Sequence, residues 1–363
     1  MKRGSLTRRH LGLVSFTAFA AGVLASMLAS PRARAAEEIF PVVDLHVDLP
    51  WQLHFRKRAL DLSKGQMSRT AMKQGHVRAL VLPLYVPDDV RPEGPRIDDH
   101  LAMLSTLDRL AEQPGSPFGP LPRPGEPPPS EGAVRIFLSF EGAGAFADEP
   151  ERIDAFLQLG VRLVGLVHMH DNALGTSSTG VAKNRGKLGL TDKGKMLAQR
   201  LYERGALVDV SHLSDAGFAD LVPLAAAHHA PLVATHSDAR EVWGSPRNLT
   251  DDQLRAIAQS GGVVGLNLHA PYLAKGVDAG WDEIVAQARH LVRVAGEDHV
   301  AIGSDFEGGI IAPADMKDAS SFPELARRLR GDGLSATAVR KMFADNALRV
   351  LLSPRHEGPA DKP

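Results

Sequence analysis

Short apolar runs recur along the chain, and eight of them read as strands: Phe40 to Val47, Ala79 to Val86, Val134 to Glu141, Val161 to His168, Ala206 to His212, Pro231 to Ser237, Gly262 to Leu268 and Val300 to Phe306. Most are continuous hydrophobic stretches without clean alternation, the pattern of strands covered on both faces in a parallel sheet. Between them the spacing predicts helices over Ile97 to Ala111, Arg152 to Leu159, Thr191 to Arg204, Ser214 to Ala227, Thr250 to Gln259 and Trp281 to Ala295, with two more after the last strand. Thr191-Asp192, Ser214-Asp215 and Thr250-Asp251-Asp252 carry side-chain oxygens that can cap the free amides of a first turn. Eight strand-helix alternations predict an α/β chain closed into a single-domain (β/α)8 TIM-type barrel over residues 36–352. The Pro-rich stretch Gly115 to Ser130 interrupts the alternation without ending it, so it is expected to be an irregular excursion, and the tail 353–363 is expected to be disordered.

The first three dozen residues break this pattern. Lys2, Arg3, Arg8 and Arg9 precede an apolar run from Leu11 to about Ala29, followed by Ala33-Arg34-Ala35. Residues 1–35 therefore read as a signal peptide. The pair Arg8-Arg9 after Thr7, with Leu11 and Leu13 beyond it, reads as a twin-arginine address, which predicts a periplasmic or secreted protein with no stable membrane span after cleavage. An uncleaved anchor is the alternative, because the run is nearly long enough to span a bilayer.

Net charge of -1 over 363 residues gives no general attraction to nucleic acid or to an anionic membrane, so no nucleic-acid partner is expected. There is no cysteine, which excludes disulfides and a lipoprotein thiol and leaves His, Asp and Glu to hold any metal.

Ionisable residues fall at the ends of the predicted strands. His46 and Asp48 close the first, Glu141 the third, His168 the fourth, His212 the fifth, His236 the sixth and Asp305 the eighth. All strand C-termini of a barrel open on one face, where barrel active sites lie, so these residues are expected to share one pocket. Each alone is weak evidence, since a His-x-Asp pair arises by chance and a strand-end His is commonly structural. Together they are hard to explain structurally, because burying so many unpaired ions costs several kcal/mol each. Bound divalent cations remove that objection. His10, His54, His76, His100, His228, His229 and His290 have no strand-end position and are assigned structural or solvent roles, while His170, two residues beyond His168, can line the pocket.

The runs Asp44-Leu45-His46-Val47-Asp48-Leu49-Pro50-Trp51, Ser139-Phe140-Glu141-Gly142, Leu166-Val167-His168 with Asn172, Val208-Asp209-Val210-Ser211-His212, Thr235-His236-Ser237 leading to Arg247-Asn248, and Gly303-Ser304-Asp305-Phe306-Glu307-Gly308 span nearly the whole mature chain. In this order they resemble the membrane (renal) dipeptidase family, peptidase family M19, among the amidohydrolase-type barrels. The resemblance implies a metallo-dipeptidase with two zinc ions: His46 and Asp48 on one, His212 and His236 on the other, and Glu141 bridging both. It also implies that His168 and Arg247 bind substrate, that Asp305 lies beside a metal-bridging water, and that Asp44 supports a neighbouring ligand. A substrate-contacting phenol of the mammalian members falls near Leu268 or His269, and Tyr272 follows a few residues later. A homodimer is plausible on the same ground.

The chemistry so implied is metal-assisted hydrolysis of dipeptides with a free C-terminal carboxylate. Asp305 is expected to act as general acid-base, His168 to stabilise the oxyanion, and Arg247 to grip the carboxylate, with bracing against Asp251 or Asp252 as its alternative. The rivals are a lactamase, an N-acyl amino acid deacylase or a phosphoesterase on the same barrel, and a noncatalytic exported binding protein.

Overall fold

The computed structural model describes residues 38–87, 89–123, 132–180 and 188–354. The predicted signal segment 1–35, the second half of the Pro-rich excursion and all but the first two residues of the tail lie outside the described residues. From Phe40 onward the chain forms one compact unit.

Eight strands, β1 (Val42–Asp44), β2 (Val77–Leu84), β3 (Arg135–Glu141), β4 (Val161–Gly165), β5 (Leu207–Asp209), β6 (Val233–Ala234), β7 (Val263–Leu266) and β8 (Val300–Ile302), pair in chain order into a closed barrel. Every pairing is parallel, and Asp44 opposite Ile302 closes the ring. Each strand sends a buried apolar residue into one inner cluster: Val43, Val81, Phe137, Leu163, Leu207, Val233, Val263 and Ala301 among them. The alternate positions join the larger shell between sheet and helices, which is why the runs read as continuously hydrophobic.

The helices Ile97–Ala111 and Trp281–Ala295 match the expected spans. Thr191, Ser214 and Thr250 cap as expected, their hydroxyls accepting from Gly194 N, Gly217 N and Gln253 N at 3.2, 3.0 and 3.3 Å. After β8 come Phe322–Gly331 and a continuous helical run, Ala336–Arg340, a π turn Lys341–Asp345, and Asn346–Leu351. That last run puts Ala344, Ala347, Val350 and Leu351 against the inner cluster and so plugs the lower end of the barrel. Short helices at Leu49–His54, Arg69–Gln74 and Ala270–Leu273 were not anticipated, since a turn or so of helix is too brief to display a period. The excursion begins irregularly and returns to the sheet where Phe118 bridges Val134. Ser353 is held by the Arg162 guanidinium, 2.6 Å from its hydroxyl.

The paired strands are shorter than the apolar runs at the upper end. β6 pairs only over Val233–Ala234, although its run extends to Ser237. There carboxylates take over from the ladder: Asp44 Oδ1 accepts from His46 N and Ser304 N, Asp209 Oδ1 from Ser211 N and Thr235 N, and Asp238 Oδ1 from Asn267 N, all at 2.9 to 3.2 Å. Three buried aspartates thus tie neighbouring strand ends while freeing the backbone to turn side chains into the mouth. Among the described residues no helix is long and apolar enough to cross a membrane.

Candidate metal centre and active site

Glu141, the last residue of β3, stands at the centre of the barrel mouth. Its Oε1 lies 3.0 Å from His212 Nε2, 3.4 Å from His46 Nε2, 3.5 Å from His236 Nε2 and 3.7 Å from His168 Nε2. Asp48 Oδ2 is 3.5 Å from His46 Nε2. All of these except His168 are buried. The seven strand-end residues expected to converge, Asp305 included, do so, with Arg247 at the same mouth.

The donor set fits divalent cations. His212 Nε2 and His236 Nε2 face each other at 3.0 Å, so when both rings carry their proton on Nδ1 two lone pairs converge, an arrangement that a cation relieves. His46 Nε2 and Asp48 Oδ1 are buried without a hydrogen bond, which inside a protein marks a missing partner. At the barrel mouth, His46 with Asp48 and Glu141, and Glu141 with His168 and His212, have ligand atoms close enough to hold an ion. A third, His46 with Asp209 and His236, is a poor candidate, because both Asp209 oxygens already accept hydrogen bonds from Ser211, Thr235 N and the Thr235 hydroxyl.

Electrostatics favour the neutral ligand form at His212 and His236 but not at His46. Burial, reinforced by the positive charge of Arg247, holds His212 well below the usual histidine range, and burial with His46 does the same to His236. Burial also works against a proton on His46, but Glu141 and then Asp48 outweigh it and draw that group upward. Burial, then the nearby Glu141, pushes Asp48 up. Asp305 is pushed up to about 6, by burial first, with Glu141 adding to the effect and His46 opposing it.

Two site residues have left-handed backbone, His212 at φ 68° and Asp305 at φ 63°, with Glu307 at 71° beside them. Such angles are uncommon outside glycine and break the extended two-residue period, so side chains leave the strand direction at these points. Glu307 is pinned by Arg58 Nη1 at 2.5 Å and Met67 N at 2.7 Å. Gly308 is constrained by space: a Cβ there would fall 2.6 Å from Asp48 Oδ2 and 2.7 Å from Asp305 Oδ1.

A cavity of about 230 Å³ lies over the cluster, lined by Asp48, Trp51, Tyr85, His269, Tyr272 and Asp305 among others. Through Tyr85, Glu141 and His168 it adjoins a cleft of about 590 Å³ that His170, Asp171 and Asn172 border. Tyr272, suggested from its place after Leu268 and His269, therefore does line the site, and His170 lies at its edge. Arg247 is 3% exposed, with Nη2 donating to His236 O at 3.1 Å and its guanidinium 5.5 Å over the Tyr272 ring. Its Nε is buried without a partner. The bracing alternative does not hold: Asp251 and Asp252 pair instead with Arg255, and Asp251 also with His290.

Of the histidines assigned structural or solvent roles, His10 lies outside the described residues, and others have protein partners away from the mouth. His100 sits in a cage of Phe140, Phe146 and Phe156, His54 bonds Thr106, and His228 stacks on Tyr202. The sequence reading missed Thr235, Asp238 and Asn267 as site residues. Asn267 donates to Asp305 Oδ2 at 3.2 Å. A spacing signal was present in the repeated Asp-x-His or Asp-x-Ser at Asp44 and Asp209, each aspartate bonding the amide two residues on.

A family model described as membrane dipeptidase, peptidase family M19, matches residues 31–355. An uncharacterized protein of the pqqA 5' region of Klebsiella pneumoniae is 39% identical over 226 residues, 60% of this chain and 81% of that protein. An uncharacterized dipeptidase of Schizosaccharomyces pombe is 27% identical over 338 residues, 86% of this chain and 80% of that one. Among solved structures, the dipeptidase AC, a metallopeptidase of family M19, superposes with a TM-score of 0.74 at 29% identity, covering 86% of this chain and 98% of its own. A Rhodobacter sphaeroides metallopeptidase liganded with a phosphinate mimic of the dipeptide L-Ala-D-Ala gives a TM-score of 0.74 at 28% identity, covering 87% and 99%.

Proposed function

The chain belongs to the membrane dipeptidase family, peptidase family M19, and from that premise we propose that it is a zinc enzyme cleaving dipeptides that carry a free C-terminal carboxylate. The observation that carries this reading is the convergence of four imidazole nitrogens on one oxygen of Glu141, within 3.7 Å, beside a buried arginine. His46 and Asp48 would hold one zinc ion, His212 and His236 the other, and Glu141 would contact both. Zinc bound there would supply Lewis acidity toward the scissile carbonyl and toward water.

The chain's own groups account for the rest of the chemistry. Asp305 takes the proton of the attacking water and delivers it to the leaving amine, a role suited to a carboxyl whose pKa is about 6. Asn267 fixes Oδ2 of that carboxylate and so sets which oxygen stays available. His168, packed between the Tyr85 and His212 rings at 4.5 Å from each, lines the cavity and would donate to the carbonyl oxygen as charge develops. Arg247 receives the C-terminal carboxylate, and Tyr272 borders the same end. The dipeptide mimic bound by the Rhodobacter sphaeroides relative supports a substrate of this size.

Metal analysis of the purified protein, paired with assays on matched dipeptides, esters and lactams, tests the reading. Close to two zinc ions per chain with preference for dipeptides is expected, and His212→Ala should lose one ion and nearly all turnover. Full activity after exhaustive chelation would overturn it. Export through the twin-arginine route is part of the proposal, and exchanging Arg8 and Arg9 for lysine should then leave precursor in the cytoplasm, whereas undiminished export would refute that route.

A further inference from the structure

The hydroxyl of Thr235 is surrounded by more hydrogen-bonding groups than an ordinary core threonine needs. Its Oγ1 lies 2.5 Å from Asp209 Oδ2, 2.8 Å from His236 Nδ1 and 3.2 Å from His46 Nδ1, with Ser211 Oγ more distant at 3.5 Å. A hydroxyl has one hydrogen and two lone pairs. The Thr235 hydroxyl donates to Asp209 Oδ2, which uses its single proton. Both imidazoles must then donate Nδ1–H to the two lone pairs that remain. Asp209 is held to this task from the other side, its Oδ1 taking Ser211 N and Thr235 N at 2.9 and 3.0 Å.

We infer that Thr235 is a positioning residue shared by both metal ions, one hydroxyl that fixes the tautomer of His46 and of His236 together. With Nδ1 protonated, each ring turns an unprotonated Nε2 toward Glu141, at 3.4 and 3.5 Å. The two rings stand side by side, centroids 3.8 Å apart, as sharing one acceptor requires. His212 is different: its Nδ1 is buried without a hydrogen-bond partner. Most metal-bound histidines have an orienting partner of their own, whereas here one partner serves a ligand from each ion. The inference rests on assigning His46 and His236 to separate zinc ions.

Zinc affinity, read by competition with a chromophoric chelator, tests it without recourse to activity. Removing an orienting partner costs about 10- to 100-fold in metal affinity. Thr235→Val should weaken both zinc equivalents by that factor, and Thr235→Ser, which keeps the hydroxyl, should hold both at the wild-type level. Weakening of one equivalent alone, or of neither, overturns the shared role. A second measurement needs no variant: long-range proton-nitrogen NMR of the zinc-loaded wild type should find Nδ1–H on both His46 and His236, and an Nε2–H form of either ring overturns the inference even if Thr235→Val does not fold. Failure of the two-zinc reading itself is distinct, because the wild type would then bind fewer than two equivalents at the outset.

Discussion

Replacing Arg247 by alanine tests the proposed grip on the substrate carboxylate separately from the hydrolytic step. The guanidinium is 3% exposed, and its recorded contacts are the His236 carbonyl at 3.1 Å, the Ser237 hydroxyl at 3.5 Å and the Tyr272 ring. Among the described residues no carboxylate forms an ion pair with it, and Nε has no partner. A buried cation in that condition is poised for an anion brought from outside. Truncating one side of a buried, hydrogen-bonded charge pair costs roughly 2 to 5 kcal/mol. At about 1.4 kcal/mol per tenfold, the middle of that range is a loss of about two to three orders of magnitude in kcat/KM on dipeptides. A dipeptide amide offers only a neutral acceptor, for which a hydrogen bond contributes about 1 kcal/mol, so its rate should fall by about tenfold or less. Arg247→Lys should fall between, since it keeps the charge and loses the two-point fork. The assay is kcat/KM for wild type and variants on matched acid and amide substrates. Arg247 also holds the His236 carbonyl, and if it acted mainly by supporting that ligand, acid and amide would lose equally, which would refute the argument.

Asp305→Asn should retain both metals and lose about 10²- to 10⁴-fold in kcat, because the amide keeps the shape but cannot accept a proton; near-normal turnover would remove Asp305 from the mechanism. Gly308→Ala drives a methyl into contact with the Asp48 and Asp305 carboxylates, and a displacement of about 1 Å at such groups can cost about 10²-fold, so kcat/KM should drop by about that factor while circular dichroism stays native. His100 should make the fold sensitive to acid. Burial holds its pKa at about 4 against an ordinary 6.5, so the unfolded chain takes up the proton first. Its contribution is intact above pH 6.5 and is lost as pH falls toward 4, by up to about 3 kcal/mol at about 1.4 kcal/mol per unit. Urea midpoints measured across that range should fall more for wild type than for His100→Phe, and parallel curves would contradict the assignment.

The barrel was legible because each strand contributes alternately to the inner cluster and the outer shell, leaving a run with no polar face, and because Thr191, Ser214 and Thr250 advertise helix starts. The strand ends were legible in chemistry but not in extent. His168, His212 and His236 were placed within strands, yet the ladder stops before each of them; at the β5 and β6 ends this is because Asp209 captures the Ser211 and Thr235 amides that would have continued it. Those captures depend on which strands become neighbours, and no local pattern reports that. Thr235 was hidden for the same reason: within its run it looks like one more β-branched strand residue, and only closure brings Asp209 and His46 to its hydroxyl. Arg247 could be named from the sequence, but its isolation from Asp251 and Asp252 could not, because both had equally plausible partners nearby in the chain.

The left-handed backbone at His212, Asp305 and Glu307 sets fitness for heat against fitness for chemistry. Each non-glycine residue held at such an angle costs about 1 to 2 kcal/mol, which glycine would not incur. A laboratory population selected only for thermal endurance would gain by glycine at these three positions, and two of those changes would delete the proposed metal ligand His212 and the proposed proton carrier Asp305. Survivors of such a screen should therefore be sequenced at positions 212 and 305 before their robustness is credited to the scaffold.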